Sequence, residues 1–253
     1  MNLKPLILGH RGASAVAPEN TLAAFSRAIR DGADGIEFDV RLSRDQVPVV
    51  IHDRSLKRTG LTDRLVSDLT AAELRRIDVG SWFGGDLYER VPLLEEVFEL
   101  YQAHKGTLYV ELKCEALEAA ALAKEVVHAI RDKEMSERVV VESFDLKVIA
   151  EVKRINAAVR TAALFEPKLS NPISVLRPLA MINRARECAA DEIAFHHTLA
   201  KQRLVEKARS EGFEVVVWTV DDPKWIARAA SRDIKALIAN NPAPMVQYRN
   251  GQS

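Results

Sequence analysis

The sequence predicts a (β/α)8 TIM barrel, an α/β fold in which eight parallel strands alternate with helices. Short runs of β-branched and apolar residues alternate with longer amphipathic patterns along all 253 residues. Such alternation implies parallel strands joined by right-handed crossovers, and eight units fit a chain of this length. The alternative is an open doubly wound sheet. No GxGxxG or GxxxxGKS/T loop follows any of the runs, so we favour the barrel.

Nine short runs supply the eight predicted strands, because the second and third runs are interpreted as one strand with an extension. The runs are Leu6–Gly9, Gly35–Val40 with Val47–Ile51, Thr107–Leu112, Val139–Val141, Arg160–Leu164, Glu192–Phe195, Glu214–Thr219 and Ala236–Ala239. Amphipathic helices are predicted between them. One begins after a cap at Asn20 or Thr21, one after Asp145, and one at Asp222-Pro223, where proline suits the first turn.

A segment at roughly residues 54–91 breaks this alternation. It is rich in Gly, Asp and Arg and includes the run Ser81–Gly85. A loop of this length inside a compact domain is usually a functional insertion. We therefore expect a single domain over residues 1–253, with a small insertion after the second strand that lies over the mouth of the barrel.

Composition excludes several classes of partner. Lys+Arg and Asp+Glu each number 36, so the formal net charge is zero and no overall positive field would attract nucleic acid. Met1–Gly9 holds only a short apolar run, too short for a signal peptide, and no run reaches the length of a membrane span. Cys114 and Cys188 lack CxxC spacing and are interpreted as small apolar residues. We expect a cytoplasmic enzyme without integral membrane association, whose oligomeric state the sequence leaves open.

Three carboxylates fall at the predicted C-terminal strand ends, where the active sites of such barrels lie. Glu37 and Asp39 are two residues apart on the second strand and therefore share a face, while Glu111 closes the third. An all-oxygen cluster suits a hard divalent cation, Mg2+ or Ca2+, with Mn2+ as a further candidate. The alternative is a structural network of ion pairs. A third carboxylate on a separate strand favours the metal.

Two histidines are predicted at the same rim. His10 closes the first strand, and His52 closes the extension of the second. Imidazole titrates near neutral pH, so one ring can accept a proton while the other donates one, although either alone could be structural. Arg11 offers a guanidinium fork for a phosphate oxygen. His196 and His197, after the sixth strand, are weaker candidates.

A series of motifs spans nearly the whole chain. In order they are His10-Arg11-Gly12, Pro18-Glu19-Asn20-Thr21, Gly32–Val40, His52-Asp53, Arg58-Thr59-Gly60, Val91–Glu96, Glu111-Leu112-Lys113, Ser143-Phe144-Asp145 and Val217–Val220. Together they resemble the glycerophosphodiester phosphodiesterase family, and the N-terminal motifs are the most specific. The resemblance implies a barrel with an insertion after the second strand. It also implies hydrolysis of small-molecule glycerophosphodiesters to an alcohol and sn-glycerol 3-phosphate.

The resemblance also implies roles for the matched residues. The metal ligands would be Glu37, Asp39 and Glu111, and the acid–base pair would be His10 and His52 in an order left open. Arg11 and Lys113 would hold the phosphate, Glu19 would orient the first loop, and Trp218 would pack against the glycerol. Core packing is the alternative for Trp218, as it is for Phe144 and Phe165.

Two positions depart from the family pattern. Asn240 follows the eighth strand where the family usually has an acidic residue, and Glu142 adds a carboxylate before Ser143-Phe144. Both leave the preferred substrate open. Two other functions also stay open. One is a lysophospholipase D-type hydrolase that uses the same site, and the other is a barrel that binds phosphorylated ligands without catalysis.

Overall fold

The computed structural model describes residues 4–84, 86–115, 118–167 and 178–251. The strands are β1 (Leu6–His10), β2 (Gly35–Leu42), β3 (Pro48–Val50), β4 (Thr107–Leu112), β5 (Val139–Ser143), β6 (Arg160–Phe165), β7 (Glu192–His196), β8 (Glu214–Trp218) and β9 (Ala236–Ala239). The helices are α1 (Leu22–Arg30), α2 (Ala71–Leu74), α3 (Leu94–Gln102), α4 (Ala119–Asp132), α5 (Leu146–Ile155), α6 (Pro178–Glu187), α7 (Gln202–Ser210), α8 (Lys224–Arg232) and α9 (Pro242–Gly251).

Eight of these strands form a closed parallel barrel, which confirms the predicted fold class. The strands follow one another around the sheet in the order β1, β2, β4, β5, β6, β7, β8 and β9, and β9 pairs again with β1. Every pairing within this ring is parallel. Closure leaves no free strand edge and brings all the C-terminal strand ends to one rim.

The predicted extension of the second strand has a different geometry. β3 does not prolong β2 but runs antiparallel to it, with Val50 opposite Val40. The chain reverses at Ser43–Val47, where Ser43 Oγ accepts the Val47 N–H at 3.0 Å and Gln46 has a φ of 62°. The reversal brings the residues after β3 back beside the C-terminal half of β2.

Alternation along the strands separates two apolar layers. Side chains from seven of the barrel strands pack inside the barrel, and these are Leu8, Tyr109, Val140, Ala162, Leu164, Ala194, Val216, Ala236 and Ile238. The intervening residues face outward against the helices, as with Ile36 and Phe38 against Phe25 of α1. The inner layer is rich in alanine, which leaves room for a cavity at the rim.

The helix caps agree with most of the predictions. Thr21 caps α1 by accepting the Ala24 N–H, and Asp145 caps α5 by accepting the Lys147 N–H. The helix predicted at Asp222-Pro223 begins one residue later, with Pro223 as its cap. Within the described ranges, no helix combines the length and apolar character that crossing a membrane requires.

The segment between β3 and α3 packs around an apolar cluster of its own. Its buried members include Leu56, Val66, Leu69, Leu74 and Val79. Helix α2 is short but firmly capped, because Thr70 and Glu73 exchange side-chain and backbone hydrogen bonds in a capping box. This packing fixes the segment beside the rim, where it contributes charged residues to the site described next.

Candidate active site

A cavity of about 410 Å³ opens at the C-terminal rim of the barrel. Its walls come from seven of the eight barrel strands and from residues that follow strands. The lining residues are His10, Arg11, Glu37, His52, Glu111, Lys113, Glu142, Phe144, Leu164, Glu166, Trp218 and Ile238. Most of the residues singled out in the sequence therefore converge on one cavity.

Three carboxylates form a buried cluster on one side of this cavity. Glu37, Asp39 and Glu111 have relative exposures of 2%, 0% and 8%, and one oxygen from each lies within 4.8 Å of the others. Their positions follow from β-sheet geometry, because Glu37 and Asp39 alternate to the same face of β2 and Asp39 is in register with Glu111 on β4. The sequence predicted this convergence correctly.

Burial and neighbouring charges shift the pKa values of these three carboxyl groups. Burial, Asp39 and Glu111 together raise the pKa of Glu37 well above its usual value, and burial with Asp39 raises that of Glu111 to about 7. The pKa of Asp39 is lowered, because Lys113 and Arg11 together outweigh the effect of burial.

One oxygen of Asp39 also lacks a hydrogen-bond partner. Oδ1 of this buried carboxylate accepts no hydrogen bond, although Lys113 Nζ lies 3.3 Å away. A compact set of carboxylate oxygens, with one oxygen unpartnered, is the donor set that hard divalent cations prefer. The residues present therefore fit such an ion.

Two cations flank the carboxylates. Lys113 Nζ lies 2.7 Å from Glu111 Oε1, while Arg11 Nε lies 3.2 Å from Asp39 Oδ2. Asp39 Oδ2 also accepts a hydrogen bond from the side-chain amide of Asn20 at 2.8 Å. Arg11 and Lys113 also line the cavity, so their remaining N–H groups can face an anionic ligand.

A chain of ion pairs links the first loop to the segment after β3. Glu19 accepts from Arg11 Nη1 at 2.9 Å and from Arg58 Nη1 at 2.7 Å. Arg58 in turn donates from Nε to Asp53 at 2.6 Å, and Asp53 lies 2.6 Å from Nδ1 of His52. Glu19 therefore contacts Arg11 of the first loop directly and is linked to His52 through Arg58 and Asp53.

The two histidines each engage a neighbour through Nδ1, but the neighbours differ in charge. His10 Nδ1 contacts Asn240 Oδ1 at 2.7 Å, whereas His52 Nδ1 contacts the carboxylate of Asp53. Burial, reinforced by Arg11, lowers the pKa of His10 to about 4. Burial also lowers the pKa of His52, against an opposing effect of Asp39.

An aromatic wall faces the charged side of the cavity. Phe144 and Trp218 pack edge-to-face with ring centroids 5.5 Å apart, and His196 packs on the other side of Trp218 at 5.1 Å. Trp218 is half-buried, lines the cavity and also packs against the inner apolar layer of the barrel. Phe165 packs against Phe195 in the outer core.

Glu142 is the fourth buried carboxylate of the rim. It is 1% exposed and in register with Glu111, and its Oε2 accepts no hydrogen bond. Burial, Glu37 and Glu111 raise its pKa well above the usual value. His197, by contrast, does not line the cavity, because its ring lies against Trp225.

Sequence reasoning missed three residues that the structure places at the rim. Asn20 was considered only as a helix cap, yet its side chain binds Asp39. Glu166 directly follows β6 and lines the cavity, and Asp221 follows β8 and binds Asn240. The rule that singled out the other strand ends would have found Glu166 and Asp221 had it been applied to every strand.

Known proteins resemble the chain over nearly its full length. Residues 10–243 match the model of the glycerophosphoryl diester phosphodiesterase family. A glycerophosphodiester phosphodiesterase from Caldanaerobacter subterraneus subsp. tengcongensis is 31% identical over 245 residues, which cover 96% of this chain and 97% of that protein.

Solved structures show the same similarity in three dimensions. The glycerophosphodiester phosphodiesterase of Agrobacterium tumefaciens is 27% identical with a TM-score of 0.80, covering 96% of this chain and 99% of that one. A phosphodiesterase from Oleispira antarctica, solved with the product sn-glycerol-3-phosphate, has a TM-score of 0.88 at 24% identity, covering 98% of this chain and 97% of that one.

Proposed function

The chain belongs to the glycerophosphoryl diester phosphodiesterase family, and we propose that it hydrolyses glycerophosphodiesters to an alcohol and sn-glycerol 3-phosphate by metal-assisted acid–base catalysis. The family membership confirms the resemblance that the motifs predicted. The observation that supports the mechanism most strongly is one cavity lined by Glu37 and Glu111, two cations and two histidines, with the buried Asp39 clustered against the two glutamates. Product in the Oleispira antarctica relative supports the choice of substrate.

Glu37, Asp39 and Glu111 would hold the divalent ion. When bound, such an ion polarises phosphoryl oxygens and neutralises negative charge in the transition state. The unpartnered Oδ1 of Asp39 and the raised pKa values of Glu37 and Glu111 support this assignment, because a cation would relieve both.

Arg11 and Lys113 bind the phosphate in this proposal. Their side chains are anchored by carboxylates, Arg11 by Glu19 and Lys113 by Glu111, so little conformational freedom is lost when an anion binds. Trp218 and Phe144 provide an apolar surface beside this position, on which the carbon chain of the glycerol can pack.

His10 and His52 move the protons. Each ring fixes Nδ1 in a hydrogen bond and leaves Nε2 for the reacting groups. One imidazole takes a proton from the attacking oxygen, of water or of the neighbouring glycerol hydroxyl, and the other gives a proton to the leaving alcohol. The ion-pair chain through Glu19 and Arg58 holds His52 and Arg11 in a fixed arrangement, which the alignment of both proton transfers requires.

The test is a panel of phosphodiesters assayed after chelation and after add-back of Mg2+, Ca2+ or Mn2+. We expect release of sn-glycerol 3-phosphate from glycerophosphocholine or glycerophosphoethanolamine only when a cation is present. Turnover confined to acylated substrates would indicate a lysophospholipase D-type enzyme instead. Binding of phosphorylated ligands without turnover of any diester would contradict catalysis altogether.

A second readout does not depend on activity. The cation should raise the thermal unfolding midpoint, because a ligand that binds only the folded state stabilises it by about 2.7 kcal/mol at 100 times its dissociation constant. Glu37→Gln should abolish this shift. The matched control is Glu73→Gln, which changes an exposed carboxylate far from the cluster and should retain the shift.

A further inference from the structure

The Nδ1 side of His10 is occupied by an asparagine that is itself held in place. Asn240 directly follows β9, and its Oδ1 lies 2.7 Å from His10 Nδ1. The Nδ2 of Asn240 donates to Asp221 Oδ2 at 2.8 Å, and the backbone N–H of Asn241 donates to Asp221 Oδ1 at 2.9 Å. Ser14 Oγ donates to Asn240 Oδ1 at 3.3 Å.

These contacts fix the orientation of the Asn240 amide. A carboxylate can only accept hydrogen bonds, so the NH2 group of Asn240 must face Asp221. The amide oxygen must then face His10, and an oxygen can only accept. His10 Nδ1 therefore carries the hydrogen, which in the neutral ring places the lone pair on Nε2. That nitrogen lies on the side of the acidic cluster, 3.8 Å from Glu37 Oε2.

We propose that Asp221 and Asn240 are positioning residues that hold His10 in the tautomer whose Nε2 accepts a proton, which makes His10 the base of the reaction. The proposal rests on the function proposed above and extends it by giving the proton transfers a direction. Neither Asp221 nor Asn240 lines the cavity that holds Glu37 and Glu111. They act only through the ring of His10.

The partner of His52 assigns it the opposite task. His52 Nδ1 lies 2.6 Å from a carboxylate oxygen of Asp53, whereas His10 meets a neutral amide. A carboxylate stabilises the doubly protonated imidazolium ring, and an amide oxygen does so much less. Of the two rings, His52 is therefore the one whose Nδ1 partner favours a second proton, which suits it better than His10 to the role of the acid.

In the proposed step, one P–O bond replaces another while each histidine transfers one proton. His10 Nε2 takes a proton from the attacking oxygen, which forms the new P–O bond and belongs either to water or to the neighbouring glycerol hydroxyl. In the second case a cyclic phosphate forms first, and water then opens it to sn-glycerol 3-phosphate. The P–O bond to the departing alcohol breaks, and that oxygen takes the Nε2 proton of the His52 imidazolium. The net change at the protein is one proton gained by His10 and one lost by His52, and exchange with solvent restores both.

The first test observes the tautomer directly. In protein labelled with 15N, the ring nitrogen shifts of His10, assigned by their loss in His10→Gln, should show Nδ1 protonated and Nε2 unprotonated. Asp221→Asn should give a mixture of tautomers, since an amide at position 221 lets Asn240 turn over. Asp222→Asn removes the same charge one residue away, from a side chain that caps α8, and should leave the spectrum unchanged.

The second test compares two substrates, one whose leaving group needs a proton and one whose leaving group does not. The comparison distinguishes the base from the acid. Asn240→Ala should lower kcat/KM about 10- to 100-fold on both glycerophosphocholine and p-nitrophenyl glycerophosphate, because the attacking hydroxyl needs a base in either case. His52→Ala should lower it about 1,000-fold on the choline ester but less than about 10-fold on the nitrophenyl ester, whose leaving group needs no proton.

Three results would overturn the proposal. They are an Nε2–H tautomer in the wild-type protein, an unchanged tautomer in Asp221→Asn, and an Asn240→Ala defect that disappears with the nitrophenyl ester. Failure of the proposed function is a different result, in which the wild-type protein turns over neither ester. The spectroscopic test would still report on the tautomer in that case, so the two failures are distinguishable.

Discussion

The two ends of the barrel bury carboxylates in opposite ways. At the N-terminal end, Glu192 is 0% exposed and has three partners: Tyr109 Oη at 2.7 Å, Arg160 Nη2 at 2.8 Å and Lys235 Nζ at 2.6 Å. At the C-terminal rim, Glu142 is almost equally buried and has an oxygen without any hydrogen bond. One carboxylate is fully compensated within the chain, and the other is not.

This difference between the two ends suggests that the carboxylate at the N-terminal end stabilises the fold, whereas those at the C-terminal rim serve the site. A buried charge is tolerated when it is paired and hydrogen-bonded, so the network around Glu192 closes the base of the barrel. The rim holds Glu37, Asp39, Glu111 and Glu142 against Arg11 and Lys113, so negative groups outnumber positive ones among these six. In the proposed reaction, a bound cation compensates this excess.

The largest effect should come from Glu37→Gln at the rim. Loss of this charge removes one metal ligand, and we expect kcat/KM to fall about 1,000-fold, in line with the loss of a main electrostatic contribution to catalysis. Stability measured by urea unfolding in chelator should not fall, because the substitution removes a buried carboxyl whose pKa is already raised. A Glu37→Gln variant that keeps its kcat/KM, or whose free energy of unfolding falls, would contradict the contrast drawn between the two ends of the barrel.

The second-largest effect should be a difference in the free energy of unfolding between substitutions at Glu192 and at Glu142. Glu192→Gln leaves Arg160 and Lys235 with only Glu214 as a carboxylate partner, and we expect it to lower the free energy of unfolding by about 3 kcal/mol. Glu142→Gln, the same substitution at the other end, should change it by less than about 1 kcal/mol, because no partner is lost. Urea unfolding of both variants in chelator measures this difference, and equal losses would contradict the comparison.

The smallest effect concerns Tyr109 and alkaline pH. Burial, followed by the neighbouring charge of Glu192, raises the pKa of Tyr109 well above its usual value. The folded protein therefore keeps this proton above about pH 10, where the unfolded chain releases it, so stability is complete below that pH and declines as the pH rises. Tyr109→Phe should cost about 1 kcal/mol at neutral pH through the lost hydrogen bond.

The same variant should escape part of the alkaline decline. The stability difference between wild type and Tyr109→Phe should therefore shrink from about pH 8 to about pH 11, because the other tyrosines contribute equally to both proteins. Urea unfolding across this range measures it. A difference that stays constant with pH would show that Tyr109 ionises normally in the folded state.

The sequence by itself determined the barrel and the acidic cluster, because both depend on local periodicity. Alternation along β2 puts Glu37 and Asp39 on one face wherever that strand lies, and parallel strands bring Glu111 to the same rim. The two strand-end histidines followed from the same rule. The family motifs added Lys113 to Arg11 as the proposed phosphate-binding pair.

Only the tertiary structure decided what each of these groups touches. The antiparallel turn into β3 depends on a positive φ at Gln46, and the contact between His10 and Asn240 joins residues 230 positions apart. The same holds for Arg58, which meets Glu19 across 39 positions. Side-chain partners at such separations follow from how the closed barrel brings distant strand ends together, and no local pattern in the sequence encodes that distance.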